Sequence, residues 1–155
     1  MLMPESFSTV KQPKDSMFCG AAVAAMATGE ELAYALRCLP FQWSQKEKKH
    51  FIKTRSILTY LGNHGIYSGI LITQENSDED LSLLEPDDSF TLVVEMSLPA
   101  IVTVHSETRK DWTHYVFWDG SVVRDPNPDV PDERKLSEFK VLDMMFLTYL
   151  EEIGY

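Results

Sequence analysis

Four residues carry the chemistry this sequence offers: Cys19, His114, Asp125 and Gln12. A cysteine attacks as its thiolate, which is favoured where unpaired backbone N–H groups and the positive end of a helix dipole lie beside the sulfur. Cys19 stands near the head of the apolar, alanine-rich run Phe18–Met26. That run predicts a buried helix starting near Met17, capped by Asp15 or Ser16 and ended by Gly29. Gly20 removes a side chain immediately beside the sulfur, which leaves room for a substrate backbone.

His114 opens the run His114-Tyr115-Val116-Phe117-Trp118, whose large apolar side chains exclude water. An imidazole working as a base needs such surroundings and a partner on its second ring nitrogen. Asp119-Gly120 is a strong hairpin signal, so Ser121–Arg124 is expected to return alongside as an antiparallel strand. Counting outward from the turn brings Asp125 to the end of the hairpin where His114 lies. A carboxylate there fixes the tautomer and orientation of the ring, which completes the logic of nucleophile, base and orienting acid. Gln12, seven positions before Cys19, places a side-chain amide that can donate to a developing oxyanion together with the Cys19 backbone N–H. Each residue alone has a plainer reading: a packing cysteine, a satisfied strand histidine, a turn-forming aspartate before proline, a glutamine in a polar lead-in. The combination is what points to catalysis.

The elements that must position these groups follow in order. Residues 1–14 are polar, contain Pro4 and Pro13, and read as an extended lead-in. After the first helix, Glu30–Leu39 predicts a second, stopped by Pro40. Lys46–Leu61 predicts a third, with Phe51, Ile57, Leu58 and Leu61 toward one side and Gly62 and Gly65 at its end. Tyr67–Thr73 reads as a strand, and Glu75–Ser89 as a solvated acidic loop or short helix. Phe90–Met96, Ala100–His105, His114–Trp118 and Ser121–Arg124 carry β-branched or aromatic runs and predict strands. Asp125-Pro126-Asn127-Pro128 ends the hairpin, and the apolar Val141–Leu150 reads as a final strand, with a helix as the alternative. Helices first and an antiparallel sheet afterwards make an α+β fold. A chain of 155 residues suits one domain, 1–155.

The net charge of −10 argues against a chain that coats nucleic acid or sits on an anionic membrane, since both favour positive protein. No apolar run approaches the roughly 18 residues of a membrane-spanning helix, and no secretory signal opens the sequence. The expected setting is therefore the cytoplasm, with Cys19 and Cys38 as reduced thiols. The two cysteines and four histidines show no zinc-ligand spacing, so no metal and no cofactor is expected. Cys38 is expected to pack in or near the core and His105 to border the site. Trp112 and Trp118 either wall the cleft or fill the core.

Taken together, these segments resemble a known family. Gln12-Pro13-Lys14-Asp15-Ser16-Met17-Phe18-Cys19-Gly20 and the alanine-rich helix after it resemble the glutamine-then-Cys-Gly helix of papain-like cysteine peptidases. The closest branch is that of the leader-peptide (double-glycine) peptidase domains of bacteriocin exporters. Pro99–Val104, then His114-Tyr115-Val116, then Val122-Val123-Arg124-Asp125-Pro126 resemble that branch's second signature. The resemblance implies a papain-like fold with Cys19 as nucleophile, His114 as general base and acid, Asp125 as orienting residue and Gln12 as oxyanion donor. The implied activity is hydrolysis of a peptide, isopeptide or amide bond in a peptide or protein substrate. Acyl or amide transfer by the same residues, or a catalytically silent binding or effector module from a phage or bacterium, are the alternatives.

Overall fold

Helix α1 (Cys19–Thr28) is almost entirely small and apolar, and every residue from Gly20 to Thr28 is buried. Such a helix has no wet face and must be enclosed on all sides. It ends where Gly29 takes a left-handed conformation (φ 75°) and its N–H closes on the Ala25 carbonyl. Its start differs from the sequence expectation. Phe18 is the N-cap and has no side-chain cap bond, so Cys19 is the first helical residue. Asp15 sits in a left-handed conformation (φ 59°), and the Ser16 hydroxyl donates to the Pro13 carbonyl at 2.6 Å. Both are occupied by a tight turn ahead of the helix, and neither caps it.

The structure is a computed structural model, and it describes residues 2–73 and 98–150. The expected acidic segment Glu75–Ser89 and strand Phe90–Met96 lie outside the described residues. Helix α2 (Leu32–Cys38) stops just before Leu39 and Pro40. The third expected helix is shorter than predicted. Its first part is instead the turn and second strand of a hairpin, β1 (Gln42–Ser44) with β2 (Lys49–Phe51), and α3 covers only Thr54–Asn63. The lysine-rich stretch has no apolar repeat to hold a helix. Ser44 accepts the Lys48 N–H on its carbonyl and the Glu47 N–H on its hydroxyl, with Lys48 left-handed (φ 54°), so turn bonds decide the conformation.

The remaining strands are β3 (Ile66–Thr73), β4 (Ala100–His105), β5 (Thr113–Trp118), β6 (Val123–Arg124) and β7 (Val141–Tyr149). They form one antiparallel sheet in the order β3-β7-β4-β5-β6. The period-two pattern of strands splits their side chains between two cores. Ile101, Phe117, Met145 and Leu147 pack with α1, α2 and α3. Ala100, Val102, Val116, Trp118, Met144 and Phe146 pack with Val123, Phe139 and Val141 on the other face. The fold is α+β, with the helices laid on one face of the sheet. Among the described residues no helix is long and apolar enough to cross a membrane.

Candidate active site

Gly20 sets how closely α1 approaches α3. A Cβ at that position would lie 2.9 Å from the Ile57 Cδ1. The space left by the missing side chain is thus filled by the core rather than opened to a substrate, contrary to the sequence reading. This contact seats the start of α1, and Cys19 with it, close against α3.

Across from the helix start, the β5–β6 hairpin supplies the imidazole and the carboxylate. Asp119 accepts the N–H groups of Ser121 and Val122 at 2.9 and 2.8 Å, and Gly120 takes φ 101°, as the Asp-Gly signal implied. The strands pair Phe117 with Arg124. One step further sets Asp125 opposite Val116, on the same face as His114, which makes the two diagonal neighbours. His114 Nε2 and Asp125 Oδ1 are 2.7 Å apart. The carboxylate is only 2% exposed and the ring 20%.

Asp125 is held by more than the ring. Its Oδ1 also accepts the Asn127 N–H at 2.9 Å, and Oδ2 accepts Arg134 Nη1 at 2.9 Å. Burial opposes ionisation, but the His114 and Arg134 charges and these hydrogen bonds hold the carboxyl below its usual range. For His114, burial likewise disfavours the charged form. It is outweighed by the Asp125 carboxylate and by the neighbouring Cys19 sulfur, and the ring is pushed up to about 10. Nε2 belongs to Asp125, so the nitrogen left to face Cys19 is Nδ1.

Gln12 joins the same cleft, which has a volume of about 530 Å³ and is also lined by Cys19, His105, Trp112, His114 and Asp125. The Gln12 backbone N–H donates to the Pro126 carbonyl at 2.8 Å, which ties the lead-in to the loop after Asp125. Its side-chain Nε2 donates to the Ser16 carbonyl at 2.8 Å, and its buried Oε1 has no partner. An amide nitrogen has two hydrogens, so one N–H remains for an oxyanion. All four expected catalytic residues therefore meet at one cleft. His105 and Trp112 border it, whereas Trp118 belongs to the second core. Cys38 is exposed, not core-packed, because it ends α2 at the rim of a different cavity.

Two cations at this site escaped the sequence reading. Lys11 places its ammonium among the carbonyls of Asp125, Asn127 and Val130 at 2.9–3.0 Å, with Pro131 at 3.3 Å. It organises the loop that carries Asp125. Arg134 lies nine residues beyond Asp125 in an irregular stretch, and no spacing rule marks it. The one available signal was the need of a buried carboxylate for a second cation. Among the described residues no group of His, Cys, Asp or Glu side chains is arranged to hold a metal ion.

Comparison of the chain with family models and with curated proteins finds no match.

Proposed function

We propose that this chain is a cysteine-dependent hydrolase of papain-like architecture that cleaves a peptide, isopeptide or amide bond through Cys19, His114 and Asp125. The observation that carries this reading is the 2.7 Å contact of His114 Nε2 with a buried Asp125, on an imidazole whose proton the Cys19 sulfur also stabilises. A helix bearing cysteine at its first residue, laid against an antiparallel sheet that bears the histidine and leads directly into the aspartate, supports the architecture.

In the proposed cycle His114 takes the Cys19 proton, so that the sulfur reacts as its thiolate beside an imidazolium. The sulfur attacks the carbonyl carbon, and the carbonyl electron pair moves to oxygen. The Cys19 N–H and the free Gln12 N–H receive that oxyanion. As the C–N bond breaks, His114 gives its proton to the departing amine, and a thioester remains. A water then loses a proton to His114 and attacks the thioester. The acid leaves, and the proton is back on the ring. Asp125 holds the ring in place and stabilises each imidazolium state.

The test is trapping of the thioester. The protein is incubated with a cell lysate, quenched in acid, and the peptide containing Cys19 is examined by mass spectrometry. The expected result is an acyl mass added at Cys19, absent in Cys19→Ala and in His114→Ala. Its absence from the wild-type protein across lysates, with hydrolysis nonetheless surviving Cys19→Ala, contradicts the proposal.

A further inference from the structure

We infer that Arg134 is a positioning residue for the site: it keeps Asp125 ionised and oriented while His114 is without its proton. The inference rests on the triad reading above and extends it to a residue outside the triad. The starting fact is that Asp125 is 2% exposed, so water does little for its charge. Its two oxygens are shared out. Oδ1 receives His114 Nε2 and the Asn127 N–H, and Oδ2 receives Arg134 Nη1. In the cycle described above, His114 surrenders a proton to the leaving amine. At that moment one of the two cations on Asp125 is gone. A buried carboxylate left alone then lowers its energy by taking a proton, or by turning away, and either change leaves the ring without its guide. Arg134 remains charged throughout, because a guanidinium does not deprotonate in this range.

Arg134 is itself fixed on every side. Its backbone N–H and carbonyl both bond to Val123, each at 2.8 Å, in a bridge next to the hairpin strand that leads into Asp125. Its guanidinium lies over the Phe139 ring at 4.2 Å. Nη2 donates to Glu107 at 2.8 Å, and Nε is 3.5 Å from Glu138. Only 11% of the side chain is exposed. A flexible ion pair on a surface contributes little, but a guanidinium held on several sides, with one nitrogen on a buried acid, sets geometry as well as charge. The charged and titratable groups around Asp125 are then His114 and, behind it, Cys19, together with Arg134, its partners Glu107 and Glu138, and the Lys11 ammonium on the Asp125 carbonyl.

The experiment reads the Asp125 carboxyl directly. Protein with ¹³C-labelled aspartate carboxyls is titrated by NMR, and the signal is assigned with Asp125→Asn. In Arg134→Met the midpoint is expected to rise by about one pH unit or more, a tenfold gain in proton affinity. Arg134→Lys, which keeps the charge but not the planar guanidinium, is expected to recover most of that shift. Cys19 alkylation by iodoacetamide is followed in parallel, and its acid limb should move up with the carboxyl in the Met variant. If Arg134→Met does not fold, Arg134→Gln carries the same expectation without a charge. A carboxyl midpoint that stays in place in the neutral variant overturns the role of Arg134, whatever the thiol does. A wild-type Cys19 no more reactive than Cys38 contradicts the triad reading instead, whatever the carboxyl does.

Discussion

Two cavities in this molecule each bring a cysteine and a histidine together, and only one of them sets its histidine against a buried carboxylate. The first, of about 530 Å³, holds Cys19 and His114. The second, of about 440 Å³ between α2 and α3, holds Cys38 and His64 with Tyr34 and Tyr60. Cys19 is the first residue of its helix, at the end that attracts negative charge; Cys38 is the last of its helix, at the end that repels it. The His114 ring is clamped by a buried carboxylate, whereas His64 Nδ1 lies 2.9 Å from the Tyr60 carbonyl and pairs with no described aspartate or glutamate. The lesson is that a cysteine and a histidine near each other do not make a nucleophile and base. The buried, doubly paired carboxylate separates the two cavities.

Removing that carboxylate should make the first cavity behave like the second. Asp125→Ala leaves the Arg134 guanidinium and the His114 ring facing an unfilled buried space. A buried pair broken on one side typically loses about 3–5 kcal/mol. Urea denaturation should show a loss of that order, together with slower alkylation of Cys19. A loss near zero would mean that the network is decorative.

A second difference lies in pH. Folded His114 holds its proton up to about 10, whereas a free imidazole loses it near 6.5. The stabilisation from this proton is complete below about pH 6.5 and is lost as pH rises through 10. Asp125 acts in the opposite direction: its contribution is present above the ordinary carboxyl value of 3.8 and fades as pH falls through its lower folded value. Stability should therefore be flat between these ranges and decline from pH 6.5 to 10 by on the order of a few kcal/mol. Denaturation midpoints across this range measure the decline, and His114→Ala should remove most of it.

The smallest of these effects concerns Lys11. Lys11→Met strips an ammonium from half-buried carbonyls of Asp125 and the loop after it, which water can partly re-solvate, so the loss is expected at about 1 kcal/mol. Faster amide exchange in residues 125–131, with no change around Cys38, is the expected signature. Uniform exchange across both cavities would show that Lys11 is no special strap of the first.

The sequence was most readable where short-range rules govern. The Asp119-Gly120 turn brought His114 and Asp125 to one end of a hairpin, β-branched and aromatic runs marked β4 and β5, and an apolar run marked β7. The Cys19 helix was recognisable because a run of alanines has few alternatives to burial. Its cap was misplaced because Asp15 and Ser16 serve a local turn that competes with capping. The β1–β2 hairpin was missed because charged residues carry little periodicity, and backbone turn bonds settled the matter. Lys11 and Arg134 were invisible for another reason. Their partners are loop carbonyls and a carboxylate more than a hundred residues away or across an irregular segment, and only the folded chain brings them together. Gly20 was noticed but misjudged, since nothing in the sequence says which neighbour occupies the space beside it.

The central claim, that Cys19 is activated by His114, is tested most directly by thiol alkylation. Both cysteines are free, so each protein molecule carries its own reference. The measurement is the iodoacetamide rate at Cys19 and at Cys38 by mass spectrometry from pH 5 to 9, in wild type and in His114→Ala. The account predicts that Cys19 reacts about a hundredfold faster than Cys38 near pH 6, and that the variant brings the two rates together. Equal, slow rates in the wild type, or a Cys19 rate indifferent to the loss of His114, would contradict it.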